Sequence, residues 1–137
     1  MLRKLILTVL FCLPLVYGYP SGAPPSACDN MVPGHGSNKP QPNDTSPYQI
    51  IQETDSYNPG DHIAVYVNSP VDTPFKGLMV QAFDPDTGDT IGKFMEGNGL
   101  HDIEKCSSMT HSDPSDKKSA TLIWIAPDDK SGKVNFR

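Results

Sequence analysis

Histidine is the residue type in this chain best suited to bind a metal ion, and the sequence has four: His35, His62, His101 and His111. A preformed zinc site takes two ligands close together in sequence, either four residues apart on a helix or a few residues apart in a loop. No two histidines have that spacing. We therefore predict that the protein binds no metal ion, and we expect no other cofactor.

The segment from Asp84 to Asp89 carries aspartates at the spacing with which a calcium-binding loop begins. An EF-hand loop also needs a glycine at its sixth position and a bidentate glutamate at its twelfth. Those positions hold Asp89 and Met95. Aspartate favours turns because its side chain accepts hydrogen bonds from nearby backbone N–H groups. We interpret residues 84–89 as a hairpin loop, with weak adventitious calcium binding as the alternative.

Nucleophilic catalysis would need an activated serine or cysteine beside a base and an orienting acid. The chain has no Gly-x-Ser-x-Gly elbow, which is the usual setting of such a serine in hydrolases. Its carboxylates are scattered through turn segments. The single tryptophan, Trp124, lies within an apolar run, which favours a place in the core over a ligand platform. The sequence therefore predicts a protein that is not an enzyme.

The first eighteen residues have the composition of a secretory signal peptide. Arg3 and Lys4 supply its positive start, and residues 5–16 form an apolar run that is shorter than the roughly 18 residues needed to span a bilayer. We predict cleavage after Gly18, which makes Tyr19 the first residue of a secreted protein with no membrane span. Residues 19–137 are then enough for one domain.

Loss of the signal peptide removes Cys12 and leaves Cys28 and Cys106 as the remaining cysteines. In an oxidising compartment, two cysteines pair with each other. We therefore predict a disulfide between Cys28 and Cys106 that closes a loop spanning most of the domain, and free or intermolecular thiols are the alternative.

The chain has one N-x-Ser/Thr sequon, Asn43-Asp44-Thr45, in a polar, proline-rich stretch. Such a sequon in a secreted protein is an acceptor for N-glycosylation. Asn43 is therefore a candidate glycosylation site.

The chain is acidic, with a formal net charge of −5. Removal of Arg3 and Lys4 leaves nine basic against sixteen acidic residues, or −7. This balance disfavours nucleic acid as a partner and also the membrane-lysing mode of cationic peptides. The weak candidates for ligand binding are the lysines of the one basic cluster in the sequence, for which a solvated loop is the alternative: Lys105, Lys117, Lys118, Lys130 and Lys133.

The elements that would position these residues are strands. Residues 19–47 are rich in Pro, Gly, Ser and Asn, so we expect an arm that is neither helix nor central strand. Alternation of period two then predicts strands at residues 48–52, 63–67, 78–83 and 121–126. The last of these is apolar on both faces and is predicted to be central. Short strands with turn residues between them are typical of a β-sandwich.

Motifs across residues 19–137 occur in the order found in reeler (reelin N-terminal) domains. They include Tyr57-Asn58-Pro59-Gly60-Asp61, Phe75-Lys76-Gly77, Cys106, Thr110-His111-Ser112 and Trp124-Ile125-Ala126-Pro127. The chain resembles that family, and within it the small defence proteins secreted into insect haemolymph. The resemblance implies an all-β, immunoglobulin-like β-sandwich. It also implies a further strand after Val134-Asn135-Phe136, so we expect a fragment truncated at the C-terminal strand.

The same resemblance implies roles for residues and for the whole protein. His35 and His111 recur in the family, and we expect them to fix loops by hydrogen bonds to the backbone. The implied function is a monomeric innate-immune protein of the haemolymph, antimicrobial or haemocyte-aggregating, that recognises lipopolysaccharide, lipoteichoic acid, glucan or the haemocyte surface. The alternatives are an extracellular matrix or adhesion module and the luminal reeler module of a larger ferric-reductase-like membrane protein.

Overall fold

The computed structural model describes residues 19–137, so the predicted signal peptide and Cys12 lie outside the described residues. Within this range the chain forms ten strands and three short 3-10 helices. The strands are β1 Gln49–Gln52, β2 Ser56–Tyr57, β3 His62–Asn68, β4 Met79–Phe83, β5 Lys93–Phe94, β6 Leu100–Ile103, β7 Ser108–His111, β8 Ser119–Ile125, β9 Gly132–Lys133 and β10 Asn135–Phe136. The 3-10 helices are Pro25–Cys28, Asn43–Thr45 and Glu104–Cys106. No helix among residues 19–137 has the length and apolar character needed to cross a membrane.

Two antiparallel sheets of four strands make up the sandwich. The first has the order β1-β3-β8-β5 and the second the order β10-β4-β7-β6, while β2 and β9 form a separate pair. The sheets face each other, with β1 against β10 and β5 against β6 and β7. The predicted all-β sandwich is confirmed, and so is the central position of β8, which lies between β3 and β5.

The core is centred on Trp124 of β8, whose side chain is fully buried. Its indole Nε1 donates a hydrogen bond to the carbonyl of Ile91 at 2.9 Å. Tyr57 and Phe136 pack edge-on against the indole, with ring centroids 5.1 and 6.0 Å away. This arrangement confirms the prediction that Trp124 is a core residue, because a buried indole needs a partner for its N–H group.

Strands β6 and β7 have no counterpart among the strands predicted from the sequence. In β7, Met109 enters the core, whereas Ser108 and Thr110 point to the other face of the sheet and are also fully buried. The Thr110 hydroxyl donates to the carbonyl of Leu78 at 2.8 Å and the Ser108 hydroxyl to that of Cys106 at 3.0 Å. Polar residues therefore occupy buried positions in β7. For this reason its sequence does not indicate which positions face the core, as the alternation of a half-exposed strand would.

The C-terminal residues add an edge strand to the second sheet. Asn135 pairs with Phe83 and Phe136 with Ala82. The backbone of Arg137 exchanges two hydrogen bonds with Gln81, at 2.8 and 3.0 Å. The alternation that begins at residue 134 is thus part of the sheet, and the expectation of a further strand stays a prediction.

Candidate ligand-binding surfaces

The N-terminal arm is fixed to the outside of the second sheet by a disulfide and by hydrogen bonds. Cys28 and Cys106 form a disulfide, with their Cα atoms 5.8 Å apart. Five residues before Cys28, the Ala23 N–H group donates to the hydroxyl of Thr110 at 2.9 Å. Gly22 lies so close to β7 that a Cβ there would be 2.5 Å from the carbonyl oxygen of His111. The arm therefore covers this face of the second sheet, which explains why polar residues of β7 are buried.

His111 holds the arm to the start of β4. Its Nδ1 accepts a hydrogen bond from the Leu78 N–H group at 3.2 Å. Its Nε2 is 3.2 Å from the Tyr19 carbonyl, so the neutral tautomer with a proton on Nε2 satisfies both contacts. The expected backbone role of His111 is confirmed.

The other histidines have different surroundings. The bond at His35 is made by its backbone carbonyl, which accepts from the Asn38 N–H group at 3.1 Å. The expectation that the His35 side chain fixes a loop is therefore wrong for the contacts within residues 19–137. His101 Nδ1 lies 3.2 Å from the Ser112 hydroxyl. In the described part of the chain, no three His, Cys, Asp or Glu side chains are grouped so that they could hold a metal ion.

The aspartates of residues 84–89 close a hairpin loop, as predicted. Asp84 Oδ1 accepts hydrogen bonds from the N–H groups of Asp86 and Thr87, at 2.8 and 3.3 Å. The Asp84 N–H group donates to the carbonyl of Asp89 at 2.8 Å. The Asp84 side chain that a calcium ion would use is thus engaged with backbone N–H groups.

Two other carboxyl groups have shifted pKa values. Burial raises the pKa of Asp102, and the neighbouring Glu104 and Glu96 raise it further, while a hydrogen bond from the Phe94 N–H group works in the opposite direction. Hydrogen bonds from the Ser115 hydroxyl and N–H groups lower the pKa of Asp113, whose side chain is 47% exposed. Both shifts are thus explained by contacts with neighbouring residues.

Lys117, one of the five candidate lysines, has a structural role. Its ammonium group donates to the carbonyls of Lys76, Asp113 and Ser115, each at 2.9 Å. An ammonium group has three N–H donors, so all of them are used. The Lys117 side chain is 13% exposed and also lies 3.5 Å from the Asp113 carboxylate. The ammonium group is therefore engaged with the protein itself, and its role as a ligand contact stays a prediction.

The other candidate lysines, Lys105, Lys118, Lys130 and Lys133, are exposed but do not form one cluster. Lys118 precedes β8, whereas Lys130 and Lys133 follow it. This strand of seven residues is about 20 Å long, at roughly 3.3 Å per residue. Lys105 lies in the 3-10 helix beside the disulfide. Each lysine could bind an anion only locally, and their role as ligand contacts stays a prediction.

The first sheet has an open surface, which we call the outer face: the side of β1, β3 and β8 that points away from the second sheet. Directly paired residues in antiparallel strands lie on the same side. Two rows of paired residues cross this face, Gln49–Asn68–Ser119 and Ile51–Tyr66–Thr121. Ile51 and Tyr66 are 46% and 44% exposed. Sequence analysis did not identify this surface, although the alternation in residues 63–67 already places Tyr66 opposite the core residues Val65 and Val67.

Comparison with known proteins assigns the family. The family model described as "Reeler domain" matches residues 26–137. The chain belongs to the Reeler domain family. The resemblance expected from the motifs is thereby confirmed. Solved structures agree on the fold of this Reeler domain: a crystal structure of the human F-spondin reeler domain (fragment 2) superposes with a TM-score of 0.56 at 22% identity, covering 67% of this chain and 76% of that one.

Relatives of two kinds are similar to this Reeler domain. "Putative defense protein 3" of Antheraea mylitta is 34% identical over 99% of this chain and 84% of its own length. "Putative ferric-chelate reductase 1" of Danio rerio is 28% identical over 98% of this chain, but the chain spans only 24% of that protein. The first kind of relative is matched over most of its length, and the second over about a quarter.

Proposed function

We propose that the protein is a secreted innate-immune defence protein that recognises components of microbial surfaces. The observation that carries the proposal is the match to "Putative defense protein 3", which extends over 84% of that relative. "Putative defense protein 1" of Antheraea mylitta is a second such relative, 30% identical and also matched over 84% of its length. Most of the ferric-chelate reductase relative has no counterpart in this chain, so we expect no redox or hydrolytic activity from this Reeler domain.

An extracellular location is supported by the disulfide between Cys28 and Cys106, because such bonds persist in oxidising compartments. The sequence of residues 1–18, typical of a signal peptide, supports the same location. Asn43 lies in an exposed 3-10 helix, where a glycosyltransferase could reach it. We propose that the mature protein is a monomer of the haemolymph and carries a glycan at Asn43.

Two classes of microbial ligand would use different parts of the surface. Lipopolysaccharide and lipoteichoic acid are anionic, and they would need the exposed lysines Lys105, Lys118, Lys130 and Lys133. A neutral glucan would need hydrogen-bonding groups and an apolar platform instead. Because the chain has a net charge of −5, an anionic ligand would be repelled at long range. Binding through the lysines would therefore be local and would weaken with added salt.

The experiment is a pull-down of the purified mature protein with whole bacteria, lipopolysaccharide, lipoteichoic acid, β-glucan and heparin, at low and high salt. We expect binding to at least one microbial preparation, followed by microbial killing or aggregation of haemocytes. Binding to heparin alone would favour the alternative of an extracellular matrix module. Binding to none of the microbial preparations would refute the proposal.

A further inference from the structure

The two sides of the sandwich that face away from the core are unlike each other. The N-terminal arm and the disulfide cover the second sheet, so that Thr110 and Ser108 are fully buried there. On the first sheet, Tyr66 and Ile51 keep almost half of their surface exposed. Because Ile51 and Tyr66 are directly paired, their exposed surfaces adjoin, and contiguous exposed apolar surface is where ligand and partner sites are found. The outer face is therefore the place to look for a ligand.

The row next to Tyr66 offers free hydrogen-bonding groups. Gln49 Nε2 donates to Asn68 Oδ1 at 2.9 Å, which fixes the two amides side by side. An amide side chain has two N–H donors and a carbonyl acceptor. Asn68 Nδ2 and Gln49 Oε1 have no hydrogen-bond partner within residues 19–137 and remain open to a ligand. On β8, the exposed Ser119 is paired with Asn68, and the exposed Thr121 is paired with Tyr66.

The two rows that cross all three strands of the outer face are without charge. They contain two amides, two hydroxyls, one isoleucine and one tyrosine, in a chain of which 20% of the residues are charged. A surface of this kind gives no electrostatic attraction for an anionic glycolipid. It matches a ligand that is itself uncharged and rich in hydroxyl groups, which amides and hydroxyls bind in both donor and acceptor roles.

The dimensions of the surface favour an extended chain over a small molecule. The rows lie about 7 Å apart along the strands, and each crosses three strands spaced about 4.8 Å apart. The surface is open and not a pocket, so a single small sugar would be only partly covered. A polymer could cross both rows and make contacts with each.

A second copy of this chain is a poorer occupant, because of size. A stable interface takes about 20 to 30 residues from each partner, and the two rows supply far fewer.

We propose that the outer face binds an uncharged polysaccharide, with a sugar ring stacked on Tyr66 and its hydroxyl groups bonded to the amides of Gln49 and Asn68. The C–H groups of a sugar ring carry partial positive charge and favour the negative face of an aromatic ring. This inference rests on the proposed function and names the ligand class within it.

The test measures depletion of the full mature protein from solution by insoluble β-1,3-glucan, chitin and yeast mannan, with lipopolysaccharide vesicles as the anionic probe. We expect Tyr66→Ala to weaken binding to a neutral polysaccharide about tenfold, which corresponds to about 1.4 kcal/mol. Tyr66→Phe keeps the ring and should stay within about twofold of wild type, and Asn68→Ala should lose several-fold. Because the two rows carry no charged side chain, high salt should leave this binding unchanged.

Tyr19→Ala is the matched control, since Tyr19 is 50% exposed on the arm and its contact with His111 is made by the backbone carbonyl. It should bind like wild type. Melting temperatures check that the variants are folded, and Asn68→Ala, for which a several-fold loss is expected, keeps the proposal testable if Tyr66→Ala is unstable.

Three results would overturn the inference. The first is wild-type protein that binds lipopolysaccharide or bacteria but no neutral polysaccharide, in which case the proposed function survives alone. The second is equal binding by Tyr66→Ala and Tyr19→Ala. The third is a dimer on size-exclusion chromatography that Tyr66→Ala dissociates, which would make a second copy the occupant. Wild-type protein that binds no microbial component at all would refute the proposed function as well.

Discussion

Replacement of Gly92 by alanine tests how tightly the core closes around the tryptophan. Gly92 has φ +68°, and a Cβ placed on it would lie 2.5 Å from three atoms of the Trp124 indole. The indole has little room to move, because it is fully buried and its Nε1 is bonded to Ile91. Left-handed backbone costs a non-glycine residue about 1 to 2 kcal/mol, and overpacking a core costs about 1 to 3 kcal/mol. We expect Gly92→Ala to lower the free energy of unfolding by about 2 to 5 kcal/mol.

Gly88→Ala is the matched control for this change. Gly88 also has a positive φ, +81°, but a Cβ there would meet no atom within 4 Å. Gly88→Ala and Gly92→Ala share the backbone cost and the effect of alanine on the unfolded chain. The difference between their free energies of unfolding therefore isolates the clash with the indole. We expect that difference to be about 1 to 3 kcal/mol. Urea unfolding followed by fluorescence measures it directly, because Trp124 is the single tryptophan of the chain.

The same substitution in a protein without the indole tests whether Trp124 is the residue that clashes with the added Cβ. In Trp124→Leu protein, followed by circular dichroism, the cost of Gly92→Ala should fall to that of Gly88→Ala, because the indole is gone. The double-mutant cycle gives this coupling as an energy. Costs for Gly92→Ala and Gly88→Ala that agree within about 0.5 kcal/mol in the wild-type background, the usual range of surface substitutions, would refute the reasoning.

Three further predictions concern the disulfide, the engaged lysine and the buried carboxyl group. Replacing Cys28 and Cys106 by serine should lower the free energy of unfolding by about 2 to 5 kcal/mol in a denaturant titration; no change would contradict a structural role of the bond. Lys117→Gln should cost about 1 to 3 kcal/mol because it leaves carbonyls unpaired, whereas Lys118→Gln should stay within about 0.5 kcal/mol; equal costs would contradict the role of Lys117. The folded-state pKa of Asp102 is raised, so its destabilising charge is present above that pKa and is relieved as the pH falls through it. Asp102→Asn should therefore stabilise the protein at neutral pH and lose this advantage in acid, as melting curves across pH would show.

Parts of the fold were predictable because local pattern and tertiary environment agree. β3 alternates between core and surface, and its period of two is visible in Ile63, Val65 and Val67. β7 was not predictable, since its buried polar residues depend on the arm that covers them. That arm is far away in sequence: Ala23 and Thr110 are 87 residues apart. No local signal records such a contact.

The same distinction applies to the candidate ligand residues. The cysteine pair could be predicted by counting, because Cys28 and Cys106 are the two cysteines of residues 19–137. Two thiols in an oxidising compartment pair with each other. The lysines could not be assigned, since closeness in sequence does not say where an ammonium group points. Lys117 and Lys118 are neighbours, yet the first is surrounded by three carbonyls and the second is exposed. Only the tertiary structure distinguishes a structural lysine from an available one.

The arm also determines which surface of the sandwich is open. Each sheet has one side toward the core and one side away from it, and in a small domain both outward sides would ordinarily be wet. Here the disulfide and the contacts of His111 keep residues 19–28 on the second sheet, so that sheet loses its outward side. The first sheet keeps its own, with Tyr66 at its centre. The disulfide thus does more than stabilise the domain: by holding the arm on one sheet, it leaves the outer face of the other free for a ligand.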